Sequence, residues 1–167
     1  QDSGGVANGG VDTDPSANTI TVNVTAVNDA PSGTDKTVTT NEDTAYTFTV
    51  ADFGFSDVDG NTLQAVKITT LPAAGVLTDN GAAVAAGAFI PVADITTNKL
   101  VFTPAANANG NGYASFTFQV QDSGGVANGG VDTDPSANTI TVNVTAVNDA
   151  PSGTDKTVTT NEDTAYT

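Results

Sequence analysis

An exact internal repeat limits what this chain can fold into more than any other feature. Residues 1–47 recur letter for letter as residues 121–167, so the offset from Gln1 to Gln121 is 120 residues. Chance does not give an identity of this length, which leaves a duplication made in cloning or a window cut from an array of near-identical units. We favour the array, because such arrays build length from units that each pack as a domain. The sequence therefore predicts one full unit together with parts of its neighbours.

Alternation of apolar and polar residues predicts strands and no helices. In residues 19–26, Ile20, Val22 and Val24 alternate with threonine and asparagine, and residues 139–146 repeat the pattern. A period of two residues is that of a half-buried β-strand. Further strand runs are found around Val38 and at residues 46–50, 63–71, 76–77, 100–102 and 113–121.

The predicted fold is all-β, an antiparallel β-sandwich of the immunoglobulin or cadherin type. About seven strands in one unit, separated by Asp-Gly and Asn-Gly turns, are typical of this architecture. The alanine-rich residues 82–88 lie between Gly81 and Gly87 and are expected to be a loop or a short strand. The predicted core consists of Tyr46, Phe48, Val50, Leu63, Val66, Ile68, Leu77, Phe89, Leu100, Phe102, Tyr113, Phe116, Phe118, Val120, Ile140, Val142 and Val144.

Short segments that end in proline divide the chain. The sequence Asn-Asp-Ala-Pro follows the alternating strand at residues 28–31 and recurs at residues 148–151. Proline cannot continue a strand ladder and keeps the residue before it extended, so each segment is expected to be a short, stiff linker. The predicted organisation is a complete module at residues 32–147. Residues 1–27 would be the final strand and loop of the preceding repeat, and residues 152–167 the start of the next.

The duplicated end of the unit creates a choice between two identical strands. Residues 1–27 and 121–147 have the same sequence, so they could compete for one sandwich or exchange between chains. We expect the copy at residues 121–147 to form the final strand, because the loop that joins it to the module is shorter. Ile140 rather than Ile20 should therefore lie in the core.

The chain is strongly acidic. Its four basic residues are all lysine, against seventeen aspartates and two glutamates, and the formal net charge is −15. Phosphate binding requires clustered lysine and arginine, so nucleic acid is excluded as a partner. Anionic membrane surfaces are disfavoured for the same reason. No apolar run approaches the length of a membrane span, so direct membrane insertion is not expected.

The excess of aspartate over glutamate favours calcium binding. Short carboxylates among glycine and asparagine can fold a tight cage of oxygen atoms around a hard cation. The alternative is adaptation to salt, in which an acidic surface keeps a protein in solution, and the two can coexist. The chain has no cysteine, so disulfides and thiolate metal sites are excluded. Outside the cell, a bound metal is the obvious substitute for a disulfide.

Two acidic loops contain candidate ligands. Asp57, Asp59 and Asn61 surround a glycine turn. Asp-Gly is also a common turn, and calcium takes about six to eight oxygen ligands, so this loop alone is a weak signal. The second loop, which could bind an ion or simply be solvated, contains Asp12 and Asp14 and recurs with Asp132 and Asp134.

The residue types present argue against an enzyme. The chain contains no histidine, cysteine or arginine, which removes most general bases, thiol nucleophiles and oxyanion clamps. A glycosidase with two carboxylates is formally open, but the aspartate pairs lie on glycine turns. We therefore expect no catalytic residues.

A series of short motifs runs in order over the whole period. They are Asn41-Glu42-Asp43-Thr44, Ser56-Asp57-Val58-Asp59-Gly60-Asn61, Leu71-Pro72-Ala73-Ala74-Gly75-Val76-Leu77, Phe102-Thr103-Pro104, Phe116-Thr117-Phe118-Gln119-Val120-Gln121-Asp122 and Asn148-Asp149-Ala150-Pro151. Together they resemble the cadherin-like tandem repeats of giant bacterial RTX-type adhesins, which pass through type I secretion. The resemblance implies a calcium-rigidified extender with a role in surface attachment or biofilm formation.

The resemblance also implies calcium sites between modules. Cadherins build such sites from the end of one domain, the linker and the start of the next. Asn28 and Asp29 resemble the linker ligands, and Asp57 and Asp59 resemble the paired aspartates of the following domain. Asp122 resembles the aspartate that closes the site.

A second site is implied at the next linker. Glu42 resembles the acidic residue near the far end of a domain and would face Asn148 and Asp149. This site has fewer partners in the chain, so we expect it to be the weaker one. The sequence departs from cadherins before the linker, where Ala26 and Ala146 replace an acidic residue, and in mid-domain, where the nearest acidic candidates are Asp79 and Asp94. We therefore expect fewer ions per linker than in cadherins.

These expectations combine into a structural function. The chain is predicted to be a calcium-rigidified extender repeat of a bacterial cell-surface adhesin, located outside the cell and projecting a distal binding domain. Its expected partners are neighbouring repeats of the same chain, joined through calcium linkers. The alternative is an adhesive module that itself binds a glycan or a protein. Near-identical repetition and the lack of an exposed aromatic platform favour the extender.

Overall fold

Nine strands form two sheets with one apolar core. The computed structural model describes all 167 residues. The strands are β1 (Lys36–Asn41), β2 (Tyr46–Thr47), β3 (Leu63–Ile68), β4 (Val76–Asp79), β5 (Ala82–Ala83), β6 (Phe89–Pro91), β7 (Leu100–Thr103), β8 (Gly110–Asp122) and β9 (Asn138–Thr145). The predicted all-β sandwich is confirmed. The strands outnumber the prediction because β5 and β6 have only two and three residues, too few for alternation to reveal.

The strand order brings the first and last strands of the folded region together. The sheets have the orders β1-β9-β8-β3-β6 and β2-β7-β4-β5. All pairings are antiparallel except that of β1 with β9, which runs in parallel register from Lys36 opposite Ile140 to Asn41 opposite Thr145. The longest strand, β8, spans the sheet from Gly110 to Asp122. We refer to the two ends of the sandwich as the Gly110 end and the Asp122 end.

Aromatic rings fill the centre of the core. Phe48 and Phe116 meet edge to face with ring centroids 5.5 Å apart, and Phe53 and Phe118 do so at 5.0 Å. This geometry is a favourable one for aromatic pairs. Phe53 lies outside the alternating runs of the sequence, so the predicted core did not include it. The predicted core residues that only pack against the margin of the cluster are Tyr46, Val50 and Tyr113.

The predicted core is wrong in strand β6. Phe89 is 47% exposed, whereas its neighbour Ile90 is 3% exposed. Successive residues of a strand face opposite sides of the sheet, so an error of one residue exchanges the two faces. Phe89 instead packs on the outside of the sheet, where Lys67 Nζ lies 5.6 Å from its ring centroid. All other predicted core residues are buried or pack against the core.

Short helices interrupt the strands, so the prediction of no helices is wrong. The α-helix α1 spans Val92–Thr96, and 3-10 helices span Ala7–Gly9, Val50–Asp52 and Ala127–Gly129. Such segments are too short to show a helical period in the sequence. Ile95 of α1 is 1% exposed and completes the core. None of the helices has the length and apolar character needed to cross a membrane.

The two copies of the repeat end have the same sequence but different structures. Ile140 in β9 is fully buried, whereas Ile20 is 90% exposed. The prediction that residues 121–147 form the final strand is confirmed, because β9 pairs with both β1 and β8. All strands lie inside the predicted module of residues 32–147. The division of the chain at its two linkers stays a prediction.

Candidate metal centre

The side chain of the linker residue Asn28 lies at the Asp122 end of the sandwich. Its Nδ2 atom donates hydrogen bonds to both carboxylate oxygens of Asp122, at 3.1 and 3.2 Å, and to the carbonyl of Val131 at 2.7 Å. The amide of Val131 in turn donates to the carbonyl of Asn28 at 3.0 Å. The first linker is therefore attached to the loop that follows β8.

The turn before β3 brings three more predicted ligands to the same place. The amide of Asn61 donates to Asp57 Oδ1 at 2.7 Å, which closes the turn. Asn61 Nδ2 donates to Asn28 Oδ1 at 2.5 Å, and the amide of Asp29 donates to Asp59 Oδ2 at 2.7 Å. The predicted ligands that the structure groups at this end are Asn28, Asp29, Asp57, Asp59, Asn61 and Asp122.

Close packing at Gly124 holds the Asn28 side chain in position. Asp122 is fully buried, and its Oδ1 atom accepts a hydrogen bond from the Gly124 amide at 2.7 Å. A Cβ atom added at Gly124 would collide with Asn28 Oδ1 and Asn61 Nδ2. A larger residue at this position would therefore displace the Asn28 and Asn61 side chains from their contact.

The oxygen atoms at the Asp122 end are of the chemical types that bind a hard cation. Asp57 Oδ2 is buried and has no hydrogen-bond partner, which is uncommon for a buried polar atom and calls for a physical reason. Calcium takes carboxylate, amide and carbonyl oxygens. No group of three or more acidic side chains lies close enough to hold a metal ion. A cation would therefore draw on the amide oxygens of Asn28 and Asn61 as well. An open pocket of about 340 Å³ beside these atoms is lined by Ala26, Val27, Asn28, Asp59, Asn61 and Gly124.

Glu42 lies at the Gly110 end, against the second linker. Its Oε1 atom accepts a hydrogen bond from the amide of Val147 at 2.5 Å, and Oε2 accepts one from Asn109 Nδ2 at 2.8 Å. Glu42 is 6% exposed, whereas Asn148 and Asp149 are exposed. Asn148 Nδ2 donates only to the carbonyl of Asp149, at 3.2 Å. The structure thus places Glu42 next to the second linker and brings no other predicted ligand there.

The acidic loop before β9 has a structural role that sequence reasoning missed. Asp134 is 4% exposed. Its carboxylate accepts hydrogen bonds from the amides of Gly33 and Ser136, at 2.9 and 2.8 Å, and from Asn138 Nδ2 at 2.8 Å. The chain just after the first linker is thereby tied to the start of β9. Asp134 is therefore buried and hydrogen-bonded rather than simply solvated. The Asp-Pro-Ser sequence that begins at Asp134 indicates a local turn of this kind.

The other acidic candidates, Asp79 and Asp94, lie with a lysine. Lys99 Nζ is 2.6 Å from Asp94 Oδ1, and Asp79 Oδ1 is buried without a hydrogen-bond partner. Burial raises the pKa of Asp79, and the charge of Asp94 raises it further, against the opposing effect of Lys99. Because Lys99 already neutralises Asp94, this group is not an open site for a cation.

Comparison with known proteins assigns most of the chain to a family. The model of the family described as a cadherin-like domain matches residues 27–143. The match begins just before the first linker and ends within β9, so it includes the grouped ligands and all of the core except Val144. No curated protein and no solved structure gives a match.

Proposed function

Because the chain belongs to the family of cadherin-like domains, we propose that it is an extender repeat of a bacterial cell-surface adhesin whose linkers are made rigid by calcium. The family consists of adhesion-type structural modules that act outside the cell, and its domains are typically not enzymes. The proposal adds to this the metal, the tandem arrangement and the location on an RTX-type surface protein.

One observation carries the calcium part of the proposal. Asp57 Oδ2 is buried without a partner, and it lies in the turn whose Asn61 side chain contacts the linker residue Asn28. A buried oxygen without a hydrogen-bond donor has lost its contact with water, and a bound cation would compensate for that loss. Its position beside the linker, rather than inside the sandwich, is what a joint between repeats requires.

Two kinds of oxygen atom would bind the calcium ion. Asp57, Asp59 and Asp122 would supply carboxylate oxygens, and Asn28 and Asn61 would supply amide oxygens. Calcium supplies a double positive charge when bound. Carboxylates closer than the Debye length, about 8 Å at physiological salt, repel one another with little screening. Neutralising them would remove this repulsion and hold the linker against the loop after β8.

The second linker would be completed by the neighbouring repeat. Glu42 is held by the Val147 amide beside Asn148 and Asp149. In an array, the turn and the closing aspartate of the next module would lie across this linker, as Asp57, Asp59 and Asp122 do across the first. Neighbouring repeats of the same chain are therefore the partners we propose.

Calcium concentration would act as the switch between loose and rigid linkers. Extracellular modules bind calcium with dissociation constants of about 10⁻⁴–10⁻³ M. Such sites would be filled outside the cell and empty in the low calcium of the cytosol. The joints would then be loose during export and rigid at the surface.

The proposal predicts a calcium-dependent melting temperature. A ligand that binds only the folded state, at a hundredfold excess over its dissociation constant, stabilises it by about 2.7 kcal/mol. We expect calorimetry of the wild-type chain to show a clear rise in melting temperature from chelator to calcium. Melting temperatures that are equal in the two conditions would overturn the proposal.

A matched pair of variants assigns the effect to the Asp122 end. Asp57→Asn removes the unpartnered oxygen and one charge, and it should abolish most of the calcium-induced rise. Asp155→Asn removes the same charge from an exposed residue that forms no strand, and it should keep the full rise. If Asp57→Asn kept the full calcium-induced rise in melting temperature, calcium would have to bind elsewhere in the chain.

A further inference from the structure

Asparagine followed by glycine recurs in the loops of the module. The pairs are Asn80-Gly81, Asn109-Gly110, Asn111-Gly112 and Asn128-Gly129. Asparagine is among the thermally labile residues, because the backbone nitrogen of the next residue can attack its side-chain amide. A glycine in the next position leaves this attack unhindered, since glycine has no Cβ atom. The module therefore contains four candidate positions for spontaneous deamidation.

The fold restrains three of these pairs. Asn80 and Asn128 have φ angles of 49° and 57°, and the glycine after each also has a positive φ, so both pairs lie in tight turns. Ring closure requires rotation about the bonds of the asparagine, which a fixed turn resists. In the third pair the attacking group is the amide of Gly112, and it donates a hydrogen bond to Asn143 Oδ1 at 2.6 Å. That hydrogen bond holds the proton that the attack must remove.

Asn109 belongs to the pair that neither kind of restraint holds. Its φ angle is not positive, and it lies just before β8, outside the helices and strands. The residue is exposed. On the glycine side there is open space, because a Cβ atom built at Gly110 would meet no other atom within 4 Å. The fold therefore leaves Asn109 the most freedom of the four asparagines to close the ring.

We propose that Asn109 deamidates spontaneously in the folded chain and that the carboxylate formed there faces Glu42 beside the second linker. In the first step the nitrogen of Gly110 forms a bond to Asn109 Cγ. The side-chain nitrogen leaves as ammonia and takes up the proton of the Gly110 amide. Water then opens the cyclic imide at either carbonyl, which gives aspartate or isoaspartate. Both products carry a carboxylate, and water is the only co-reactant.

The present contact of Asn109 shows where the new charge lies. Asn109 Nδ2 donates a hydrogen bond to Glu42 Oε2 at 2.8 Å, and Glu42 Oε1 accepts one from the amide of Val147. Glu42 is buried. Replacing the Nδ2 nitrogen with an oxygen removes a donor from Glu42 and brings two carboxylates within hydrogen-bond distance of each other. Like charges this close do not both stay ionised unless a cation compensates them.

The product supplies an acidic side chain that the second linker lacks. Apart from the linker residues Asn148 and Asp149, Glu42 is the only predicted ligand beside this linker. A carboxylate at position 109 adds a second acidic group from the same module. Because calcium takes carboxylate oxygens as ligands, deamidation increases the affinity of this end for calcium as the protein ages. This last step rests on the proposed function, whereas the deamidation itself does not.

Peptide mapping by mass spectrometry tests the modification directly. The folded chain is incubated at mildly alkaline pH and digested, and the conversion of amide to carboxyl is followed at each asparagine by fragmentation. We expect Asn109 to react well before Asn80, Asn111 and Asn128. In denaturant, where the fold restrains none of them, the four positions should react at comparable rates. If Asn109 were no faster than the other three in the folded chain, or led equally in denaturant, the proposal would be overturned.

Matched variants test where the new carboxylate lies. Asn109→Asp imitates the product, Asn109→Gln keeps an amide that closes a ring far more slowly, and Asn111→Asp adds the same charge to an exposed neighbour. In chelator, Asn109→Asp should melt at a lower temperature than the other two variants, because it loses the donor to Glu42 and gains a like charge. Equal melting temperatures for Asn109→Asp and Asn111→Asp would contradict the contact with Glu42.

Melting in calcium separates this inference from the proposed function. Calcium should raise the melting temperature of Asn109→Asp by more than that of Asn111→Asp, since the ion binds the new carboxylate together with Glu42. If calcium changed no melting temperature, including that of the wild type, the proposed function would fail, whereas deamidation and the deficit of Asn109→Asp in chelator would stand. If calcium stabilised the wild type but gave Asn109→Asp no larger rise, the new carboxylate would not be a ligand.

Discussion

Two carboxylates with different surroundings, Asp52 and Asp79, are expected to make stability depend on pH in opposite ways. Asp52 is 3% exposed and is fully satisfied, with Lys36 Nζ at 2.9 Å and the amide of Thr49 at 2.8 Å. Asp79 has a buried oxygen without a partner. The partners of Asp52 stabilise its charged form, whereas burial destabilises the charged form of Asp79. Their removal should therefore have opposite effects.

Asp52→Asn should lower the free energy of unfolding at neutral pH by about 1–3 kcal/mol, because it leaves buried groups unsatisfied. Burial raises the pKa of Asp52, but the hydrogen bond and charge of Lys36 and the bonds from Thr49 outweigh it, so the net pKa is lowered. Stability from a lowered pKa is present above the ordinary value and is lost as pH falls through the folded-state value. In urea titrations, the difference between wild type and variant should therefore shrink in acid. A difference that is the same at every pH would contradict this account.

Asp79→Asn should raise the free energy of unfolding at neutral pH, by up to about 1 kcal/mol. Burial and the neighbouring charge of Asp94 raise the pKa of Asp79 in the folded state. A group with a raised pKa contributes stability below its ordinary pKa and loses it as pH rises through the folded-state value. The advantage of the variant should vanish in acid. Asp155→Asn, an equal change of charge on an exposed residue, should show neither effect in the same titrations.

At the scale of the elements, local sequence predicts strands well and long-range contacts poorly. The alternation in β9 is visible because every second residue meets the core. Strand β6 is only three residues long, so alternation does not show which of its residues face the core. For this reason the prediction that Phe89 is buried is wrong. The turn at residues 57–61 was predicted because its hydrogen bond joins residues four apart. Asn28 and Asp134 act on residues 94 to 103 positions away, and no local pattern encodes such contacts.

Asp134→Ala tests whether that long-range tether stabilises the module. Loss of its bonds to Gly33 and Asn138 should cost about 2 kcal/mol, the usual range for hydrogen bonds to a buried charged group. The duplicated sequence provides an internal control, because Asp14→Ala removes the same local turn from an exposed segment. Urea denaturation should show a lower midpoint for Asp134→Ala and an unchanged one for Asp14→Ala. Equal midpoints for both variants would show that the tether adds nothing.

At the scale of the whole molecule, the net charge of −15 allows two readings of the acidic surface. If the carboxylates serve only to keep the protein in solution, salts should act through screening, which depends on ionic strength. If they bind calcium, the ion should act at specific oxygens.

The two readings predict different melting curves. We expect calcium chloride to raise the melting temperature well above that in sodium chloride at the same ionic strength. Magnesium chloride is the control for divalent charge, since its smaller ion demands near-octahedral geometry and gives up water reluctantly. Equal melting temperatures in calcium and sodium salts of matched ionic strength would favour salt adaptation.

The parallel pairing of β1 with β9 has a mechanical consequence. The first linker enters near the start of β1, and the second leaves after the end of β9, so the two attachment points lie at opposite ends of one ladder. Tension between them acts along the strands. The backbone hydrogen bonds between β1 and β9 are then loaded in shear and must break together, from the Lys36–Ile140 pair to the Asn41–Thr145 pair. In a strand pair that is pulled apart from one end, the hydrogen bonds break one after another. The sandwich is thus built to transmit a pull from one linker to the other without unzipping.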